Sequence, residues 1–129
     1  MFSHITVGTA DLQRAIAFYQ RILEPLGIGL LAHRHNPERA VFTHPDSDIA
    51  FCVYVPIDGR PASAGNGSLV AFEARTRVQV DAFHRRALEL GGADEGGPGL
   101  RPNYSPTYYG AYVRDLDGNK LCCVCHLSE

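Results

Sequence analysis

Toward the C-terminus the chain runs Asp115-Leu116-Asp117-Gly118-Asn119 and then Leu121-Cys122-Cys123-Val124-Cys125-His126. Crowded thiols and imidazoles can hold a soft metal ion or carry redox chemistry. Strand parity divides them. Successive side chains on a strand alternate faces, so Cys122 and Val124 point one way and Cys123 and Cys125 the other. Three thiols so divided cannot converge on one ion without breaking the strand. Cys123 and Cys125 therefore read as small buried hydrophobes. His4 shares a strand face with Thr6 and Gly8. His33 and His35 lie on one face either side of Arg34, which suits a cationic rim for an anionic ligand or a solvated strand end. His84, beside Arg85 and Arg86, reads as a helix surface residue.

A second set of candidates lies in "GLRPNYSPTYYGAYV". Arg101, Asn103, Tyr104, Tyr108 and Tyr109 sit in or just after a long Gly/Pro loop. Tyrosines offer apolar area plus a hydroxyl, which suits ligand binding, and long loops often carry such residues. The plainer reading is a loop packed on a sheet edge. Alternation lets only one of Tyr108 and Tyr109 face a given side. No nucleophile triad is present. "GADEGGPG" follows a helix instead of opening one, so it is no dinucleotide loop. No catalytic residue is assigned.

Positioning these residues falls to a repeated unit. A shift of 65 residues lays His4–Glu24 over Leu69–Glu89, with Ala17-Phe18 on Ala82-Phe83, Arg21 on Arg86 and Leu23-Glu24 on Leu88-Glu89. Each copy reads as strand, helix, then strands. Asp11 and Thr76 are plausible N-caps. Leu12, Ala15, Ile16, Tyr19, Ile22, Leu23 and Leu26 recur at helical spacing, and Pro25 and Gly27 end that helix. Val80, Phe83, Ala87, Leu88 and Leu90 form the second stripe. Strands are expected at Gly29–His33, Arg39–His44 and Ile49–Val55, then weakly near Ala93, at Tyr108–Arg114 and at Lys120–Leu127. Gly96–Pro106 reads as a loop. The fold class is thus α+β, two βαβββ modules sharing one core. Module one covers 1–57, a linker 58–67 and module two 68–129, all within one domain. Neither module has enough apolar area to stand alone.

The totals remove several classes. Net charge is −2 and no basic run occurs, so nucleic acid is not an expected partner. No apolar stretch is long enough for a membrane span. The chain opens on a strand-like run without a signal peptide, so a cytoplasmic location with reduced cysteines is expected.

The stretches "HITVGTADLQRAIAFYQRIL", "DAFHRRALELGG" and "YYGAYVRDLDGNKL" resemble the vicinal oxygen chelate superfamily, which includes glyoxalase I, extradiol dioxygenases and bleomycin-resistance proteins. The resemblance covers essentially the whole chain. It implies that the two modules form an open, curved mixed sheet, a glyoxalase-like barrel. It also implies a homodimer and a concave face holding a small-molecule ligand and, in many members, a divalent metal. Metal ligands there come from the first and last strands of each module. That pattern points to His4 on the first strand and Cys122 in place of the usual carboxylate after the Asp-x-Asp-Gly-Asn turn. The other two positions fall on Leu69 and, with "AFCVYV" laid on "LCCVCH", on Phe51. This pairing puts Cys52 in register with Cys123, on the helix-covered side. The resemblance thus implies a small-molecule-binding protein with a degenerate metal site, its cofactor none or one weakly held divalent ion. The alternative is a metal-dependent glyoxalase-type lyase, isomerase or dioxygenase.

Overall fold

The computed structural model describes residues 1–129. β1 (His4–Gly8) leads into α1 (Leu12–Leu23), a single 3-10 turn (Glu24–Leu26), β2 (Gly29–Arg34), β3 (Arg39–Thr43) and β4 (Ala50–Tyr54). After a stretch without helix or strand come β5 (Val70–Glu73), α2 (Arg77–Glu89), β6 (Ala93–Leu100), β7 (Tyr109–Arg114) and β8 (Lys120–Cys125). The expected βαβββ order thus occurs twice. The strands form two four-stranded mixed sheets, ordered β1-β4-β3-β2 and β5-β8-β7-β6, and neither is closed. In each, the first strand runs parallel to the last and the remaining pairs are antiparallel.

Local chemistry explains the boundaries. The Asp11 side chain accepts from the Arg14 amide at 3.1 Å. Thr76 and Gln79 make a reciprocal capping box. α1 closes through Pro25 into Gly27, whose φ of 76° a glycine adopts without strain. α1 buries Leu12, Ala15, Phe18, Tyr19, Ile22 and Leu23. α2 buries Val80, Phe83 and Ala87, while Leu88 and Leu90 stay exposed, so the stripe is narrower than its spacing suggests. His84 is also buried, with Nε2 facing Asp94 Oδ1 at 2.9 Å, which corrects its reading as a surface residue. Gly96–Leu100 is strand, not loop. β6 is an edge strand paired only with β7, and its pairing is irregular between Gly96 and Gly99, where Pro98 needs no ladder donor.

Both helices cover one face of their sheets. Phe42, Phe51 and Val53 on one side and Phe72, Val113, Leu121 and Cys123 on the other join the helices in a common core. The two halves meet through aromatic rings. Phe51 packs on Tyr19 and Phe72, each with centroids 5.0 Å apart, and Phe72 continues to Phe83 at 6.1 Å. Such pairs add about 1 kcal/mol each beyond their buried area.

A polar joint fixes the halves at the β7–β8 turn. Asp115 is buried. Its Oδ1 accepts the Asp117 and Asn119 amides at 2.9 and 2.8 Å. Its Oδ2 accepts Asn119 Nδ2 at 2.9 Å and the Tyr19 hydroxyl from α1. Asn119 Nδ2 also donates to the Gly8 carbonyl at 2.9 Å. Asp117 accepts from Thr9 Oγ1 at 2.6 Å and from the Ala10 amide at 2.9 Å. Gly118 holds the turn with φ of 88°. Replacing Asp115 by alanine strands the Tyr19 hydroxyl and Asn119, and buried groups that lose a charged partner cost about 1.5–3 kcal/mol each. Asp115→Ala should therefore lower unfolding free energy by about 3 kcal/mol or more in urea titrations, and Tyr19→Phe by about 1 kcal/mol. An Asp115→Ala midpoint within error of wild type would refute this role.

Candidate functional site

The sheet faces away from the helices carry the candidate residues. Register fixes which ones. Thr6 pairs with Cys52 and Ala71 with Cys122. Since Thr6 and Ala71 are equivalent in the repeat, Cys52 is the counterpart of Cys122. Phe51 lies on the helix side, in the core. The last strands thus superimpose one residue away from the alignment of "AFCVYV" with "LCCVCH". That register corrects both the place of Phe51 at a ligand position and the place of Cys52 beside Cys123. Cys123 and Cys125 do lie in the helix-side core.

The four positions that the repeat makes equivalent are therefore His4, Cys52, Leu69 and Cys122. His4 is exposed on edge strand β1, its Nδ1 3.0 Å from Ser3 Oγ. Leu69, just before β5, is 43 % exposed and offers no donor atom. Cys52 and Cys122 are buried, and burial pushes both thiols above their ordinary range, so they stay protonated. Glu73 faces the same side as Cys122 but pairs with Val124, so it lies about 7 Å further along the sheet. One exposed imidazole, two protonated thiols and an alkyl chain do not match the imidazole and carboxylate donors that a hard or borderline divalent ion needs. The residues present do not fit a divalent metal at these positions.

On the open face of the second sheet a tyrosine cluster covers Cys122. Tyr112 pairs with Cys122 across β7–β8. The Tyr108 hydroxyl lies 2.8 Å from that of Tyr112 and 3.5 Å from Cys122 Sγ. Burial is the main cause that raises the Tyr108 and Tyr112 hydroxyl pKa values, so both remain neutral donors. The Arg101 guanidinium sits 5.5 Å from the Tyr112 ring centroid, held by the Gly97 and Gly99 carbonyls at 2.8 and 2.9 Å. Lys120 Nζ lies 5.8 Å from the same ring. Tyr104, largely exposed, packs on Tyr108 with centroids 5.0 Å apart, and His126 meets Tyr108 edge-on at 5.5 Å.

Of the five loop residues, the fold thus gathers Arg101, Tyr104 and Tyr108 on one face. Asn103 is an exposed turn residue. Tyr109 points to the opposite side, where its hydroxyl donates to Asp81 at 2.7 Å and Arg77 stacks at 5.1 Å. The Asp81 bond, with burial, pushes its pKa up to about 12. Sequence reasoning passed over Tyr112 and Lys120. Strand parity with Cys122 would have found both.

A cleft of about 600 Å³ lies elsewhere, at the seam between the halves. Phe42, Phe51, Val70 and Phe72 line its apolar part, and Asp46 and Arg75, paired at 3.0 Å, belong to its polar part. It takes in neither the tyrosine cluster nor Cys122.

No helix is long and apolar enough to cross a membrane. No curated protein matches the chain in sequence. Residues 1–123 match the family described as Glyoxalase/Bleomycin resistance protein/Dioxygenase superfamily. Among solved structures, a glyoxalase/bleomycin resistance protein from Albidiferax ferrireducens T118 is 40% identical, over 97% of this chain and 98% of that one, with a TM-score of 0.85. A family enzyme from Burkholderia phytofirmans PsJN shares 18% identity over 97% and 98% of the two chains, with a TM-score of 0.73. The fosfomycin resistance protein FosX from Listeria monocytogenes shares 18% over 97% and 92%, with a TM-score of 0.69. These last two likenesses concern the fold alone. With the family match over nearly its whole length and the 40% identity to one solved member, the chain belongs to the glyoxalase/bleomycin resistance protein/dioxygenase superfamily.

Proposed function

We propose that this protein binds a small organic molecule and that its family metal positions no longer hold an ion, or hold one only weakly. The observation that carries this reading is the burial of Cys122 beneath Tyr108 and Tyr112. Where the family resemblance places a carboxylate, this chain has a protonated thiol capped by two neutral hydroxyls. Neutral phenols, aromatic faces and the cations of Arg101 and Lys120 suit a flat ligand with hydrogen-bond acceptors. The ligand lies against Tyr104, Tyr108 and Tyr112, and the protein works as a homodimer. The metal-dependent lyase, isomerase or dioxygenase reading rests on His4 and the family membership, and metal analysis separates the two.

Metal bound by purified, untagged protein should be unchanged in His4→Ala and Cys122→Ser. A stoichiometric ion that His4→Ala removes would establish the metal-dependent reading instead. Ligands selected by thermal shift from a library of aromatic acids should bind at least tenfold more weakly to Tyr112→Ala, and equal binding would exclude the tyrosine face.

The thiols give an independent readout. All four cysteines are free and buried. At neutral pH the native chain should give well under one fast-reacting thiol to Ellman's reagent, and four after unfolding. One fast equivalent in the native state would remove the masking argument. The pH sign follows from linkage. Burial raises the folded pKa of Cys122 and Cys123 above the unfolded value of about 8.5. Their contribution to stability is therefore complete below that value. It is lost as pH climbs, because the unfolded chain releases its protons first. Urea midpoints should be lower at pH 9.5 than at pH 7.5, and an unchanged midpoint would contradict it.

A further inference from the structure

The β2–β3 hairpin brings together three metal-binding side chains, none of them on the tyrosine face. His33 lies near the end of β2 and His35 just beyond it, in the turn that leads to β3. Glu38, across the turn, reaches back between them. His33 Nε2 lies 3.0 Å from Glu38 Oε1 and His35 Nδ1 lies 2.8 Å from Glu38 Oε2. The two imidazole rings are 4.8 Å apart. One carboxylate thus bridges two imidazoles, so the pair faces Glu38 and not an open rim. Hydrogen bonds from His33 first and His35 second hold the Glu38 carboxyl below its ordinary pKa, so it stays ionised.

We propose that His33, His35 and Glu38 form a binding site for a divalent transition-metal ion of the Zn²⁺ class. The ligand atoms all lie within 4.8 Å of one another. Bonds of 2.0–2.1 Å at tetrahedral angles set ligand atoms about 3.4 Å apart. Both imidazole–carboxylate separations are already shorter than that, so only the widest separation has to close, by no more than about 1.4 Å. Two imidazoles and one carboxylate select Zn²⁺, Ni²⁺ or Cu²⁺ over Mg²⁺ or Ca²⁺, which prefer oxygen ligands. Three protein ligands leave at least one coordination position to water or to a chelating molecule. The ion replaces the protons that now bridge the rings and the carboxylate, and it ties the end of β2 to the start of β3. Arg34 and Arg39 flank the ligands in sequence and weaken cation binding, so a reversible site is expected, not a permanent structural one. The site is independent of the ligand-binding reading above, because it shares no residue with His4 or Cys122.

Calorimetric titration of untagged protein with Zn²⁺ in a non-chelating buffer tests the assignment. Wild type should bind one ion per chain. His35→Ala and Glu38→Gln should each weaken binding at least tenfold, with urea midpoints near wild type because both side chains are partly or fully exposed. His4→Ala and Cys122→Ser should leave the affinity unchanged. Paramagnetic Ni²⁺ or Cu²⁺ should broaden amide resonances around 33–39 first. No binding by wild type, or binding that survives both hairpin variants, would overturn the site. Zn²⁺ binding lost in His4→Ala but kept in both hairpin variants would overturn this site and the metal-poor reading of the family positions together.

Discussion

One buried carboxylate holds the two halves in register. Asp115 gathers donors from its own turn and from α1, while its neighbour Asp117 takes the Thr9 hydroxyl and the Ala10 amide at the exit of β1. A carboxylate out of water is costly unless donors surround it. Three of its donors come from its own turn, and the fourth, the Tyr19 hydroxyl, arrives only when α1 of the other half docks. The satisfaction of a single side chain therefore depends on the docking of both halves. The aromatic series from Tyr19 through Phe51 and Phe72 to Phe83 supplies apolar contact across the same seam. It is less directional than the polar joint, so Asp115 and Asn119 set the angle at which the halves meet.

That geometry explains why some of the molecule was legible in sequence and some was not. Caps and helical stripes are local, so Asp11, Thr76 and most of the buried side of α1 followed from spacing alone, Phe18 being the buried residue the stripe left out. The βαβββ order was legible because the repeat carries it. Register between distant strands is a different quantity. The first strands and helices superimpose at a shift of 65 and the last strands at 70, since Thr6 faces Cys52 and Ala71 faces Cys122. Loops of unequal length separate them, and no local pattern records a loop's length difference to the single residue. A slip of one residue exchanges the two faces of a strand, which is how Phe51 and Cys52 traded places. β6 was expected only weakly near Ala93, and its continuation to Leu100 was missed for another reason. Its Gly/Pro composition reads as loop, and only an edge position with irregular pairing tolerates it.

The same parity argument gives the cysteines their meaning. Cys123 and Cys125 fill space under α2, as small apolar side chains do. Cys122 is equally buried but on the other face, under hydroxyls instead of methyls. A carboxylate at that depth would need a cation or several donors to remain charged. A thiol needs neither, because burial keeps it neutral. The tyrosines and the thiol are thus mutually consistent: neutral phenols can close over a neutral sulfur, whereas a carboxylate there would call for a compensating ion.

Burial also separates the two places where a metal could be considered. At the positions equivalent to the family site, two of the four groups are thiols held protonated out of water and one is an alkyl chain. An ion would have to strip two raised-pKa thiols of their protons before gaining a bond, so its affinity would fall with each proton released. At the β2–β3 hairpin the groups are solvated, the carboxylate is already ionised and the imidazoles already face it. Ion binding there exchanges two hydrogen bonds for metal–ligand bonds and requires no buried group to change charge. The hairpin therefore has the smaller barrier to metal, although the family resemblance directs attention to the sheet face.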